Sequence, residues 1–134
     1  MDCLFCKIIN GEIPCLKVYE DEYTFAFLDI NPVNEGHTLV LPKKHIENLI
    51  NSDSEDLKNI MPALREITEA VKKATNADGV NVTTNNGEAA GQSVFHLHFH
   101  IIPRFNDDGF KNWLQHSYKE GEDKKYLEKI KSLL

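Results

Sequence analysis

The most informative stretch of this sequence covers residues 92–103 and is QSVFHLHFHIIP. Its apolar and polar residues alternate, which predicts a β-strand over 93–102 that ends at the final proline. Side chains alternate between the two faces of a strand, so His96, His98 and His100 are expected on one face. The apolar residues between them are expected on the opposite face, packed into a core.

Three imidazoles in a row indicate a function rather than packing alone. A single buried histidine is usually a satisfied core residue, but each of three needs its own hydrogen-bond partner. Residues two apart in a strand are about 6.6 Å apart. A metal ion binds imidazole nitrogen at about 2.0–2.1 Å, so one ion takes two neighbours but not easily all three. The row is therefore expected to divide, with one end free for a metal site and the rest for nucleophilic or acid–base chemistry near neutral pH.

The chain contains three cysteines, an odd number that does not form a disulfide framework for a domain of this size. Cys3 and Cys6 form a C-x2-C pair, whereas Cys15 stands apart. The pair is consistent with half of a zinc site, a redox pair or two small residues without chemistry. A redox pair is expected to follow a strand within a βαβ pattern, and no strand precedes this one. The pair alone leaves the zinc and the purely structural interpretations open.

Composition excludes several classes of protein. The 134 residues carry a net charge of −6, which argues against general nucleic-acid binding but not against a pocket for one nucleotide. The longest apolar runs have only three or four residues, whereas a membrane span needs about 20. The first residues show no long apolar region of the kind found in secretory signals. We therefore expect one cytoplasmic domain over residues 1–134, with a hydrophobic content of 41% sufficient for one core.

The remaining pattern predicts an α+β domain with a mostly antiparallel sheet and one main helix. The other predicted strands are a hairpin over 17–28 that turns at 21–22, a strand over 38–41 and a strand over 80–84. A capping box formed by Ser52 and Glu55 predicts the start of the main helix, which continues to Val71. Pro62 is expected to kink or restart this helix. Apolar residues at helical spacing over 127–133 predict a short C-terminal helix.

At this point the sequence resembles the histidine-triad (HIT) superfamily, whose signature is His-φ-His-φ-His-φ-φ with φ apolar. Residues 96–102 match that signature in full. Four further segments resemble the nucleoside phosphoramidase branch of this family: 3–9, 26–30, 36–45 and 91–94. The resemblance covers residues 1 to about 104, while the tail over 105–134 resembles bacterial-type members only loosely. It implies a HIT-like fold in which the antiparallel sheet continues across a homodimer.

The resemblance implies a hydrolase that cuts nucleoside 5′-phosphoramidates or related adenylates at the α-phosphate. His98 would attack phosphorus and form a nucleotidyl-histidine intermediate, which splits one displacement into two easier steps. His100 would bond the phosphate oxygens and steer proton transfer, with His37 orienting it. The third histidine of the triad is retained here, which favours a hydrolase over a nucleotidyl transferase.

The same resemblance implies roles for the residues around the histidines. A purine nucleotide is the expected substrate, and no catalytic cofactor is required. An apolar slot for the base is expected from Phe5, Ile8, Phe27 and Ile30, a ribose contact from Asp29, and phosphate or leaving-group contacts from Asn85, Gln92 and Ser93. A structural zinc ion is expected on Cys3, Cys6, His45 and His96.

Three other functions remain open from the sequence. The first is a dinucleoside polyphosphate hydrolase that uses the same chemistry. The second is a nucleotide-binding regulator with weak catalysis, whose turnover would not depend on His98. The third is a metal-binding scaffold that uses the three histidines of the triad as ligands.

Overall fold

A computed structural model of the protein describes residues 2–134. Within these residues the strands are β1 (Lys17–Glu20), β2 (Thr24–Leu28), β3 (Thr38–Pro42), β4 (Gly79–Thr83) and β5 (Phe99–Arg104), and the helices are α1 (Leu4–Ile9), α2 (Ser54–Thr75) and α3 (Glu122–Lys131). The strands form one sheet in the order β1-β2-β3-β5-β4, with every neighbouring pair antiparallel. The predicted α+β class, the antiparallel sheet, the main helix and the short C-terminal helix are confirmed.

Side-chain alternation along the strands gives the sheet two covered faces. Ala26 and Val40 pair across β2 and β3 and belong to a core that α2 covers. Phe27 and Leu39 pair one position further along and belong to a second apolar cluster, which includes residues of α1. The sheet therefore has α2 on one face and α1 on the other, and this second face carries the candidate site.

The predicted capping box of α2 is wrong by one residue. The Oδ1 atom of Asp53 accepts the Asp56 N–H at 2.8 Å, and Oδ2 of Asp56 accepts the Asp53 N–H at 3.2 Å. Ser52 does not cap the helix because its hydroxyl donates to the Leu49 carbonyl at 2.6 Å. The local turn before the helix thus uses the hydroxyl that the pattern assigned to the cap, and Glu55 lies in the first turn of the helix instead.

Of the two outcomes predicted at Pro62, a kink or a restart of α2, the restart is wrong. The helix continues over 54–75 with Pro62 in its interior, on an exposed part of the helix. Proline removes the bond to the carbonyl four residues earlier, here that of Lys58. Lys58 is also exposed, so the missing bond lies on the solvent side of the helix, where water is the available partner for a carbonyl.

The strand that carries the histidine motif begins later than predicted. It covers 99–104, not 93–102, and Pro103 lies inside it rather than at its end. The strand β3 pairs only with residues 99–101 of β5, so Pro103 lies beyond that pairing and its missing N–H breaks no bond to β3. Before the strand, the Leu97 N–H donates to the Ile46 carbonyl at 2.6 Å. Alternation nevertheless continues through this segment, because Leu97 packs in the α2 core with residues of β5.

The C-terminal helix packs little against the rest of the domain. Helix α3 has no buried residue, and Leu127 and Ile130 are 53% and 59% exposed. Across residues 2–134, none of the helices is long and apolar enough to cross a bilayer. The body of the fold therefore lies before this segment.

Candidate active site

A cavity of about 350 Å³ opens on the sheet face opposite α2, between α1, β2 and the segment before β5. It brings together most of the residues that the sequence predicted for substrate contact and catalysis. These lining residues are Phe5, Ile8, Phe27, Asp29, Ile30, Ser93, His98 and His100. The alternation of β2 and the helical spacing of α1 therefore converge on one site.

The lining also includes residues that were not predicted, which are Leu4, Ile13, Pro14, Cys15, Leu28, Asn31, Leu39 and Val94. Leu39 stands opposite Phe27 in the β2–β3 pairing, so strand register was the signal that could have identified it. Val94 follows Ser93 in the segment before β5, where no regular pattern indicates which side chains turn inward. Both residues extend the apolar wall of the cavity.

The imidazole of His98 is held in one tautomer. It is 7% exposed, and its Nδ1 lies 2.7 Å from the carbonyl oxygen of His96. Because a carbonyl only accepts, Nδ1 carries the proton and Nε2 keeps its lone pair. Burial lowers the pKa of His98, which keeps the ring neutral at pH 7. The phenyl ring of Phe5 packs against it edge-to-face, with ring centroids 4.9 Å apart. This arrangement suits a nucleophilic nitrogen.

A second chain of hydrogen bonds fixes the proton on His100. The Val33 N–H donates to Nδ1 of His37 at 3.1 Å, so the proton of His37 is on Nε2. That N–H donates to Nδ1 of His100 at 2.9 Å, so the proton of His100 is on its own Nε2. Burial, together with the neighbouring His98 and His37, lowers the pKa of His100 to about 4. The two triad histidines in the cavity are therefore neutral and complementary, since one offers a lone pair and the other an N–H.

The carboxylate of Asp29 lies at the edge of the same cavity. Its Oδ1 accepts the Asn31 N–H at 2.8 Å, which closes a local turn after β2. Its Oδ2 is 3.7 Å from Nε2 of His37, too long for a hydrogen bond. The carboxylate keeps acceptor capacity for a ligand hydroxyl.

The residues predicted to contact the phosphate or leaving group do not all line this cavity; they are Asn85, Gln92 and Ser93. Gln92 is 3% exposed, and its Oε1 accepts the Gly87 N–H at 2.8 Å while its Nε2 donates to the Glu47 carbonyl at 2.7 Å. These bonds hold the loop, and Gln92 does not line the cavity. Asn85 does not line this cavity either, whereas Ser93 does. The family resemblance therefore grouped three residues whose side chains point to different places in the structure.

The four predicted metal ligands converge. The ligand atoms of Cys3, Cys6, His45 and His96 all lie within 4.8 Å of one another. Sγ of Cys3 is 3.5 Å from Nδ1 of His96, and Sγ of Cys6 is 3.5 Å from Nδ1 of His45 and 3.6 Å from that of His96. A tetrahedral zinc ion with bonds of about 2.3 Å to sulfur and 2.0–2.1 Å to nitrogen separates such atoms by about 3.6 Å. The donor set and its spacing fit a tetrahedral ion.

The first turn of α1 and a hydrogen bond to His96 position these ligands. Cys3 is the N-cap of α1, and the Cys6 N–H points at its sulfur, so the first helical turn brings both thiols to one side. Nε2 of His96 donates to the Pro42 carbonyl at 2.8 Å, which leaves the lone pair on Nδ1, the atom nearest the thiols. Burial lowers the pKa of His96 to about 4, so the imidazole is neutral and able to bind a metal.

A second cavity, of about 400 Å³, lies on the other side of His100. Besides His100, its lining includes His37, Asn81, Asn85, Arg104, Lys111 and Trp113. Sequence reasoning did not single out Asn81 or Lys111, because neither belongs to a recognisable motif. The β4–β5 pairing brings Asn81 near the histidines, and the return of the segment after β5 brings Lys111 there.

Comparisons with known proteins agree with this geometry. The family description "HIT domain" matches residues 10–107. A crystal structure of a HIT family member from Bacillus subtilis superposes with a TM-score of 0.93 and 46% identity, covering 100% of this chain and 98% of that one. The Schizosaccharomyces pombe protein named adenosine 5′-monophosphoramidase hnt1 is 43% identical over 108 residues, 81% of this chain and 78% of its own. The Arabidopsis thaliana protein named adenylylsulfatase HINT3 is 47% identical over 107 residues, 80% of this chain and 54% of its own.

Proposed function

This chain belongs to the HIT domain family, and on that premise we propose that it hydrolyses nucleoside 5′-phosphoramidates and related adenylates at the α-phosphate. Relatives named adenosine 5′-monophosphoramidase and adenylylsulfatase support a nucleotide hydrolase in general terms. The observation that carries the proposal is the pair of tautomers in one cavity: the free lone pair on Nε2 of His98 beside the N–H on Nε2 of His100.

The proposed reaction has two steps. Nε2 of His98 forms a bond to phosphorus as the bond from phosphorus to the leaving group breaks, and the leaving amine takes up one proton. Water then attacks the nucleotidyl-histidine, releases the nucleoside monophosphate and returns one proton to solvent. The N–H of His100 donates to a phosphate oxygen, where charge accumulates in both transition states. The carbonyl of His96 stabilises the positive ring of His98 in the intermediate.

The lining of the first cavity supports a nucleoside as the group bound there. Phe5, Ile8, Phe27 and Ile30 supply apolar surface for a base, and we favour a purine because of its larger stacking area. Asp29 is placed to accept hydrogen bonds from ribose hydroxyls. Ser93 contributes a hydroxyl close to the histidines. Gln92 acts indirectly, by holding the loop that carries Ser93.

We also propose that the Cys3, Cys6, His45 and His96 cluster holds a structural zinc ion. Four protein ligands complete a tetrahedron, so no position remains for substrate and the ion supplies stability rather than chemistry. The cluster joins the first turn of α1 to the segment before β5. Reduced thiols are needed for this role, which suits the cytoplasmic location that the sequence predicts.

We further propose a homodimer in which two sheets join through β4. Among the described strands, β4 and β1 form the two edges of the sheet. The β1 edge is protected, because a bulge interrupts its pairing and Lys17 forms an ion pair with Glu20. The sequence of β4, GVNVT, contains no charge, and Val82 is 42% exposed. An uncharged edge strand with an exposed apolar residue favours pairing with a second copy.

The decisive experiment measures AMP release from adenosine 5′-phosphoramidate by the wild type and the His98→Ala variant. Loss of the nucleophile should reduce kcat/KM by at least about three orders of magnitude. A His116→Ala variant, changed in the exposed tail, should match the wild type. If wild type and His98→Ala have equal turnover, the protein is a binder or a regulator. A parallel assay with a dinucleoside polyphosphate tests the alternative substrate class.

A further inference from the structure

We propose that the second cavity is the leaving-group subsite and that Lys111 makes it select leaving groups with negative charge. This inference rests on the proposed hydrolysis at the α-phosphate and adds the class of leaving group. An amine that carries a carboxylate, as in the phosphoramidate of an acidic amino acid, and an oxyanion such as sulfate both belong to this class.

The position of the two cavities relative to the histidines indicates the direction in which the leaving group departs. His98 lines the first cavity only, whereas His100 lines both. In phosphoryl transfer the attacking and leaving atoms lie roughly in line on opposite sides of phosphorus. A nucleoside held in the first cavity and attacked by Nε2 of His98 therefore directs its leaving group past His100, into the second cavity.

The charges around the second cavity give its selectivity. The guanidinium of Arg104 is already paired, because Nε and Nη2 donate to the two carboxylate oxygens of Asp108 at 2.7 and 3.2 Å. That ion pair fixes the wall without adding net charge. Lys111 lines the same cavity, and no carboxylate within residues 2–134 lies at ion-pair distance from it. With the nearby histidines neutral, the cavity has one uncompensated positive charge.

The neutral groups of the cavity are suited to the same ligands. The Oδ1 atom of Asn81 accepts from Nη1 of Arg104 at 2.7 Å, so its amide N–H groups remain for another partner. Asn85 adds a second amide close to the histidines. Trp113 closes the outer side and is 89% exposed, so a bound group would bury part of that ring. Amide donors beside a lysine recognise carboxylate or sulfate oxygens.

The test compares two substrates that share AMP and differ in the leaving group. One is the phosphoramidate of glutamate, and the other is the phosphoramidate of butylamine, which has no charge on the leaving group. For Lys111→Ala we expect kcat/KM to fall about ten-fold with the glutamate compound and less than two-fold with the butylamine compound. Lys111→Glu should reverse the preference. The matched control is Lys124→Ala, which removes the same charge from exposed α3.

The outcomes separate this inference from the proposed function. If wild type hydrolyses neither compound and His98→Ala changes nothing, the proposed function fails. If both compounds are hydrolysed through His98 but Lys111→Ala and Lys124→Ala behave alike, only the leaving-group assignment is overturned. Equal loss with both substrates in Lys111→Ala also overturns it, because selectivity requires a difference between them. A preference that weakens as salt rises from 50 to 500 mM supports the charge-based selection.

Discussion

Nε2 of His37 lies 2.9 Å from Nδ1 of His100, and the direction of that bond is set by the Val33 N–H on the other nitrogen of His37. His37 is 4% exposed and does not line the first cavity. In the proposed reaction, its contribution is to keep the proton of His100 on Nε2, the nitrogen proposed to contact the phosphate. His37 is therefore a positioning residue in the proposed reaction.

Replacing His37 should lower turnover more than substrate binding. We expect kcat of His37→Ala to fall about 10- to 100-fold with KM within about three-fold. Loss of a partner that orients a metal-binding histidine typically costs about this much in metal affinity or activity. Steady-state kinetics with adenosine 5′-phosphoramidate measures both constants. The His37→Gln variant, whose amide can still donate to His100, should recover part of kcat. Equal activity of wild type and His37→Ala would contradict the positioning role.

Stability should increase with pH between about 4 and 6.5. Burial and the neighbouring imidazoles lower the pKa of His100 from 6.5 to about 4, so the unfolded chain binds more protons than the folded chain within that window. Each group of this kind contributes at most about 1.4 kcal/mol per pH unit. Urea unfolding at pH 4.5, 5.5, 6.5 and 7.5 measures the slope. The slope should be smaller in His100→Asn, and an identical slope would rule out this group as a source.

Removing one cysteine of the cluster should remove the metal. Purified wild type is expected to contain about one zinc ion per chain, and Cys6→Ala much less, because three ligands hold a structural ion poorly. Elemental analysis and the melting temperature measure content and stability together. The control is Cys15→Ala, since Cys15 lies outside the cluster and should leave zinc content unchanged. Zinc-free wild type with an unchanged melting temperature would contradict the proposed site.

Gly36 cannot accept a side chain without strain. Its φ is +97°, and a Cβ there would lie 2.7 Å from Cγ2 of Thr75 at the end of α2. Gly36→Ala should lower the free energy of unfolding by about 1–3 kcal/mol. Gly79→Ala is the matched control, because that glycine has an ordinary φ and open space around its Cα. Adding Thr75→Ser removes the methyl group and should recover part of the loss, whereas no recovery would assign the effect to the backbone alone.

Much of the fold could be predicted because its signals are local. The hairpin over 17–28, the helix period of α2 and the histidine alternation each depend on neighbours in the chain. Convergence of Cys3, Cys6, His45 and His96 was expected from family resemblance, not from spacing. The roles proposed for the individual site residues, the bound zinc ion and the homodimer stay predictions.

The parts that sequence reasoning missed depend on tertiary contacts. The motif strand begins at Phe99 because the backbone before it bonds to the Ile46 segment instead of to a neighbouring strand. Gln92 turns away from the cavity because Gly87 and Glu47 offer backbone partners. Lys111 joins the second cavity only through the return of the chain after β5. No local pattern encodes such pairings between distant segments.

The number of residues in the segment 96–101 fixes which side chains face the cavity and which face the core. The same backbone that directs His98 and His100 to one face directs Leu97, Phe99 and Ile101 into the α2 core. Inserting or deleting one residue between His96 and His100 would exchange the two sets, placing imidazoles in the core and leucine in the cavity. Insertions and deletions in related sequences should therefore be absent from that segment. They should accumulate instead in α3, which has no buried residue and lines neither cavity.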